Sequence, residues 1–244
     1  MANRYNIEEL ILYIEALFLA AGMDADKSAI VAQLLVEADL MGHTTHGIAQ
    51  APAYLSGLEN GLMLGTGDPI IVSDRGATIT WDGQRISGVW LTAMAIDLSV
   101  DRAKKYGTAT MAIRRSGHIA CLAAFLTRAT DKGCMIELAS SDPSIVSVAP
   151  YGGTKPAFTP NPIAIGIPTN KNPILIDISA SITTNGLTGR LFSEGKKLPG
   201  DWVQDKSGRA TNDPSVLFTE PPGTILPIGG KEYGSSTRAP PIQE

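Results

Sequence analysis

Two of the chain's three histidines stand three residues apart in the stretch GHTTHGIAQ, residues 42–50. An imidazole titrates near neutrality, with an unperturbed pKa of about 6.5, so His43 and His46 are candidates for proton transfer or for metal ligation. A zinc-type site needs three or four protein ligands. The remaining histidine is His118, no acidic residue is suitably spaced beside the pair, and Gly42 and Gly47 interrupt any helix that would present both rings together. The expectation is acid–base chemistry and no metal. His118 follows the strand-like Ala109–Ile113 and precedes an apolar stretch, a position at which open α/β sheets place ligands. Asp177 closes the apolar run Ile174-Leu175-Ile176 in the same way, with Ser179 and Ser181 behind it. Ordinary capping is the competing role for each of these residues. Neither a GxGxxG fingerprint between strand and helix nor a GxSxG elbow is present, so a Rossmann dinucleotide site and that class of hydrolase have no support.

The elements that must position these residues follow from periodicity. Ile7, Leu10, Ile11, Ile14, Leu17, Phe18 and Ala21 share one helical face, with Asn6 and Glu9 spaced as a capping box and Gly22 as the stop. Ile30, Val31, Leu34, Leu35 and Ala38 repeat the pattern in a second helix ending at Gly42, and a third is predicted from Ile48 to Asn60. Gly65 to Pro69 reads as a turn. From about residue 76 the character changes: a strand over 77–81, a helix over 88–105, a strand over 108–113, a helix over 119–131 and a strand over 135–139. This alternation predicts an α/β layer. After a Pro- and Gly-rich loop, Ile163–Ile167 and Ile174–Ile176 read as further strands. The expected organisation is a helical segment over 1–75, an α/β core over 76–228 and an irregular tail over 229–244.

Composition narrows the partners. Of 244 residues, 43% are hydrophobic and 18% charged, with a formal net charge of −4, which argues against a nucleic-acid partner. Glu8, Glu9 and Glu15 break the N-terminal apolar pattern, so it reads as neither a signal peptide nor a membrane span, which needs about 20 apolar residues. Cys121 and Cys134 lack CxxC spacing and sit in apolar surroundings. Reduced, buried thiols in a cytoplasmic protein are expected.

Longer stretches carry more information than any single motif. EADLMGHTTHGIAQAPAYLSGLENGLM, AIRRSGHIACLAAF, SDPSIVSVAPYGGTKPAFTPNPIAIGIP, ILIDISAS and KKLPGDWVQDKSGRATNDPSVLF occur in this order. In wording and order they resemble the type-2 malate/L-lactate dehydrogenase family, which includes ureidoglycolate dehydrogenase and diketogulonate reductase. The resemblance covers almost all of residues 5–234. It implies a non-Rossmann α/β cofactor-binding fold of the sulfolactate dehydrogenase-like type, NAD or NADP as cofactor, a small 2-hydroxy or 2-oxo acid as substrate, and a homodimer. It further implies that His46, in Thr45-His46-Gly47, is the general acid and that Thr45 orients its ring or the substrate. Asp177 would hold the imidazole, and His118 would be the second acid–base candidate, matching a proton acceptor of the ureidoglycolate branch. Ser141, Asp177, Ile178, Ser179 and Lys231 match cofactor-contacting positions, while Gln50 and Asn161 fall at substrate-lining ones. His43 matches no role and is read as structural.

Several positions depart from the family pattern. Gln50 stands where many relatives place a carboxylate-binding arginine. Thr159-Pro160-Asn161-Pro162 replaces Gly-Thr-Asn-Pro, Leu187 replaces a lysine, and Ala120, Cys121 and Ala123 replace Gly, Arg and Gly. The stretch GGKEYG is followed by SSTRAPPIQE where relatives continue for a domain-scale length. A C-terminally truncated chain is expected from this, and a second reading stays open beside the enzyme: a non-catalytic or degenerate relative that at most binds the cofactor.

Overall fold

In the computed structural model residues 4–233 are described, and they fall into two units. The first comprises residues up to Glu137 together with Ile165–Ile176; the second comprises Leu138–Ala164 and the chain from Asp177. The irregular tail expected over 229–244 lies outside the described residues from 234 onward. Its first part forms a helical turn, Gly230–Tyr233.

The first unit opens on helices whose ends the sequence dictates. Helix α1, Ile7–Ala20, is capped by Asn6, whose Oδ1 accepts from Glu9 N at 3.0 Å, a contact worth about 1 kcal/mol. It buries Ile14 and Phe18 against α2, Ala25–Leu40. The expected third helix begins as a 3-10 turn, Ile48–Gln50, and continues as α3, Ala51–Glu59, with Pro52 in its first turn. Strand β1, Ile70–Asp74, was not expected after the Pro69 turn. Ile70, Ile71 and Val72 are all exposed, so no alternation announces the strand. It pairs antiparallel with β2, Thr78–Asp82. The 19-residue helix α4, Gly88–Tyr106, then crosses over to β3, Thr110–Arg114, which lies parallel to β2 with Asp82 opposite Arg114. This βαβ unit is the α/β layer that the alternation implied. Phe18, Val31, Leu35, Ile86, Val89, Leu91, Phe125 and Leu126 are among the fully buried side chains of the first unit.

The helix expected over 119–131 is largely absent. Ala120 has φ 55°, which breaks a right-handed helix, and only a 3-10 turn, Ala123–Phe125, and the short α5, Thr127–Thr130, form. The strands β4 (Ile136–Ala139), β5 (Ile163–Ile167) and β6 (Ile174–Ile178) form a second three-stranded sheet.

In the second unit Thr184 caps α6, Asn185–Ser193, by accepting from Leu187 N. A small antiparallel sheet follows, with β7 (Val203–Gln204) between β8 (Ala210–Thr211) and β9 (Thr224–Ile225). Its core is Val148, Leu198, Val203 and Ile225, with Phe158, Leu191, Trp202, Val216 and Leu217 against it. These late elements are short and lie between glycines and prolines, where periodicity has too little length to register.

Neither cysteine is in a disulfide; Cys134 is half-exposed rather than buried, and Cys121 is buried as expected. Among the described residues no helix is long and apolar enough to cross a membrane.

Candidate active site

The histidine corner is built by the end of α2. Gly42, at φ 89°, reverses the chain so that His43 N donates to Ala38 O at 2.8 Å, and His46 N then donates to His43 O at 2.8 Å. His43 thus supplies backbone to the turn that presents His46. Asp39, one turn earlier on α2, accepts from Ile48 N at 2.8 Å. A Cβ at Gly47 would stand 2.4 Å from Asp39 Cγ, so glycine is the residue that lets the corner close on this carboxylate. Thr45 Oγ1 and His46 Nδ1 share a hydrogen bond of 2.9 Å, and Gln50 Nε2 donates to Thr45 O at 2.6 Å. Thr45 therefore orients the His46 ring while Gln50 fixes the backbone beneath Thr45.

The loop carrying His118 is held just as closely. A Cβ at Gly88, the first residue of α4, would lie 2.0 Å from Gly117 O, and Gly117 N donates to Ile86 O at 3.1 Å. The loop leaves β3 through Arg115, at φ 52°, an uncommon backbone for a residue with a Cβ. Arg115 Nε donates to Asp82 Oδ1 at 2.8 Å and Arg114 Nε to Asp82 Oδ2 at 3.1 Å. Asp82 is buried and also accepts from Gln84 N at 3.1 Å. The Arg115 hydrogen bond holds its carboxyl at a pKa of about 2, against burial, which acts in the opposite direction.

The two loops meet. The His46 and His118 rings stack with centroids 5.9 Å apart and planes inclined by 28°. Tyr54, on the buried face of α3, places its hydroxyl 2.7 Å from His118 Nδ1 and is only 5% exposed. Burial pushes its phenol well above the usual range, although a backbone hydrogen bond from Ala120 acts the other way. The four predicted residues of this unit, Thr45, His46, Gln50 and His118, are therefore brought together. Sequence reasoning missed Tyr54, Asp39 and Asp82. The available signal for Tyr54 was its place four residues after Gln50 on an apolar helix face, since a buried tyrosine hydroxyl finds a partner.

The second unit gathers Ser141, Asn161, Asp177, Ile178, Ser179 and Lys231 along neighbouring backbone segments. Ser140 N donates to Pro162 O at 3.2 Å, Ala180 N to Pro160 O at 2.7 Å and Ile228 N to Ala180 O at 2.9 Å. The segments holding Ser141, Asn161 and Ser179 are thereby stitched together, and the chain leading to Lys231 runs beside them. Ser179 Oγ donates to Ser181 O at 2.8 Å. Tyr151 OH donates to Lys231 O at 3.4 Å, and the Lys231 side chain is exposed. Asp177 and Ser179 are half-buried, Ser141 and Ile178 exposed. Asn161 combines φ 46° with a buried Oδ1 that has no hydrogen-bond partner. Strain and an unsatisfied buried acceptor at one residue mark a position shaped for a ligand more than for stability.

Known proteins give this arrangement a family. Residues 5–237 match the malate/L-lactate dehydrogenase family. The L-sulfolactate dehydrogenase of Methanothermobacter thermautotrophicus is 30% identical over 235 residues, 96% of this chain and 67% of that protein. Hydroxycarboxylate dehydrogenase B of Escherichia coli K12 is 28% identical over 225 residues, 92% of this chain and 62% of that protein. A crystal structure of malate dehydrogenase from Entamoeba histolytica superimposes with a TM-score of 0.89 at 26% identity, covering 95% of this chain and 65% of that one. The chain belongs to the malate/L-lactate dehydrogenase family and has the fold its resemblance implied. It spans about two thirds of the length of these relatives.

Proposed function

We propose that the protein is an oxidoreductase that interconverts a small 2-hydroxy acid and its 2-oxo acid with NAD or NADP. The observation that carries this reading is the stacked His46–His118 pair, each ring held by a hydroxyl, in a chain of dehydrogenase family. Two imidazoles at one place suit proton transfer to and from a carbonyl oxygen near neutral pH. His46, steadied through Nδ1 by Thr45, is the proton donor to the nascent alkoxide and takes the proton back in the oxidative direction. His118 assists at the same oxygen.

The second unit fits a dinucleotide. Ser141, Asp177, Ile178, Ser179 and Lys231 would hold it: the exposed Ser141 hydroxyl, the half-buried Ser179 hydroxyl and an exposed lysine suit ribose and phosphate. The unsatisfied Asn161 Oδ1 offers an acceptor to an amide or hydroxyl of the ligands. When bound, the nicotinamide supplies or takes the hydride. Gln50 donates to the backbone instead of presenting a guanidinium, so the substrate carboxylate is met by weaker donors than in relatives with arginine. A 2-oxo acid bearing little charge beyond its own carboxylate is expected to be preferred. A homodimer in the cytoplasm fits the family resemblance and the acidic composition.

The test is loss of reduced-nicotinamide absorbance with pyruvate, oxaloacetate and related 2-oxo acids, together with calorimetric titration of NADH and NADPH. Turnover of at least one acid is expected. Binding of a dinucleotide without turnover of any acid would support the non-catalytic reading, and absence of both would overturn the cofactor assignment as well.

A further inference from the structure

We infer that Tyr54 is a positioning residue that locks neutral His118 with its proton on Nε2, so that a ligand meets His118 as a hydrogen-bond donor. Two donors converge on the opposite ring nitrogen. Tyr54 OH lies 2.7 Å from His118 Nδ1, and Ala120 N–H points at the same atom from 3.4 Å. A hydroxyl can turn and become an acceptor, and Tyr54 has a second acceptor within reach, His118 O at 3.4 Å. The amide of Ala120 cannot turn in this way. Its direction is fixed by a backbone held at φ 55°, in a loop whose Gly117 is pressed against Gly88. A proton on Nδ1 would face that N–H, donor against donor.

The phenol strengthens the arrangement. Tyr54 is 5% exposed, and burial keeps it protonated, so it remains a donor throughout the range in which a histidine titrates. Its ring stands edge-on to His118, with centroids 5.9 Å apart and planes at 64°. This restrains the imidazole tilt as well as its tautomer. The second nitrogen of a histidine is set by the bond its first one makes.

The consequence rests on the dehydrogenase reading above. In the reductive direction Nε2–H of His118 can bond to the substrate carbonyl oxygen and polarise it. In the oxidative direction neutral His118 can accept the substrate proton at Nε2 only if its own proton has moved from Nε2 to Nδ1, against both donors. The two histidines are thereby unequal: His118 polarises and His46 exchanges the proton. This differs from the role of proton acceptor that the resemblance to the ureidoglycolate branch implied for His118.

The lock can be read without turnover. With three histidines in the chain, nitrogen-15 spectra of the imidazoles are assigned by difference using His118→Gln. At mildly alkaline pH wild-type His118 is expected to carry its proton on Nε2 alone, with a scalar coupling from the Tyr54 hydroxyl proton to Nδ1. In Tyr54→Phe, which keeps the ring and its packing, the coupling vanishes and the Nδ1 resonance moves toward that of an unbonded acceptor. A wild-type His118 protonated on Nδ1, or one lacking the coupling, overturns the lock whether or not the variant folds. An unchanged Nδ1 resonance in folded Tyr54→Phe overturns the part given to Tyr54. In the assay, Tyr54→Phe is expected to lose up to about tenfold in kcat at nearly constant KM. A lock seen by resonance in a protein that turns over no 2-oxo acid would overturn the reaction and leave the tautomer standing.

Discussion

The candidate residues of the first unit are held through side chains: Thr45 on His46, Tyr54 on His118, Gln50 on Thr45 and Arg115 on Asp82. Those of the second unit are held through the backbone, by amide-to-carbonyl bonds among the segments that carry Ser140, Pro160, Pro162, Ala180 and Ile228. A side-chain network fixes ring orientation to within a hydrogen bond, which proton transfer requires. A backbone lattice fixes a surface, and that suffices for an extended ligand gripped at many points. The two modes differ in how they fail. Removing one member of the first network misorients a reacting ring, whereas removing one hydroxyl from the second leaves the surface in place.

The comparison breaks most visibly at His46. His46→Ala is expected to lower kcat about 10²- to 10⁴-fold, the range for loss of a positioned acid–base group, with the dinucleotide Kd unchanged by calorimetry. A variant with full turnover would remove His46 from the mechanism. Next in size are losses of packing. Ile225→Ala deletes a fully buried side chain of the second unit's core and is expected to cost about 2–5 kcal/mol in denaturant unfolding, followed by Trp202 fluorescence. Gly88→Ala puts a methyl where 2.0 Å separates it from Gly117 O. About 1–3 kcal/mol of strain is expected, and because the displaced loop carries His118, kcat should fall along with stability. Stability lost at constant kcat would show that the loop yields without moving the ring. Ser179→Ala sharpens the other side of the comparison: a Kd increase of at most about tenfold and unchanged kcat, since one neutral hydrogen bond contributes about 1 kcal/mol.

What the sequence disclosed follows the same division. Helices α1, α2 and α4 and strands β2 and β3 were legible as amphipathic or apolar runs, with Gly22 and Gly42 marking the stops of α1 and α2. The His46 corner and the His118 loop were each legible as polar breaks in apolar context. Their meeting was not, because a stacking distance between residues 72 positions apart is set by tertiary packing. The failed helix over 119–131 has a local cause that composition hides: Ala120 favours a helix, yet the crowded Gly88–Gly117 contact and the turn at His118 hold it left-handed. Tertiary context overrides propensity there. That Ser141, Ile178 and Ser179 lie on neighbouring segments was not legible, because it requires knowing which segments run side by side. Only the backbone bonds supply that.

The smallest effect concerns acid. Asp82 in the first unit is held at a pKa of about 2 mainly by the Arg115 hydrogen bond. Asp213 in the second unit is held at about 2 mainly by Lys197, and Asp205 at about 2 mainly by the Ser207 hydroxyl. All three lie below the ordinary carboxylate value of about 4. A depressed folded pKa means that the unfolded chain binds the proton first, so each contribution to stability is complete above pH about 4 and is lost as pH falls toward 2. Asp82→Asn therefore lowers the denaturant midpoint at pH 6 and makes its decline between pH 4 and pH 2 shallower. Because Asp82 also holds Arg115 and the turn into His118, kcat at pH 6 should fall with it, whereas Asp205→Asn should flatten the same acid limb and leave kcat alone. If both substitutions left the acid limb as steep as in the wild type, the carboxylates would not be the groups that the folded state holds ionised. If Asp205→Asn reduced kcat as much as Asp82→Asn, the contrast between a side-chain network that orients and a backbone lattice that supports would fail.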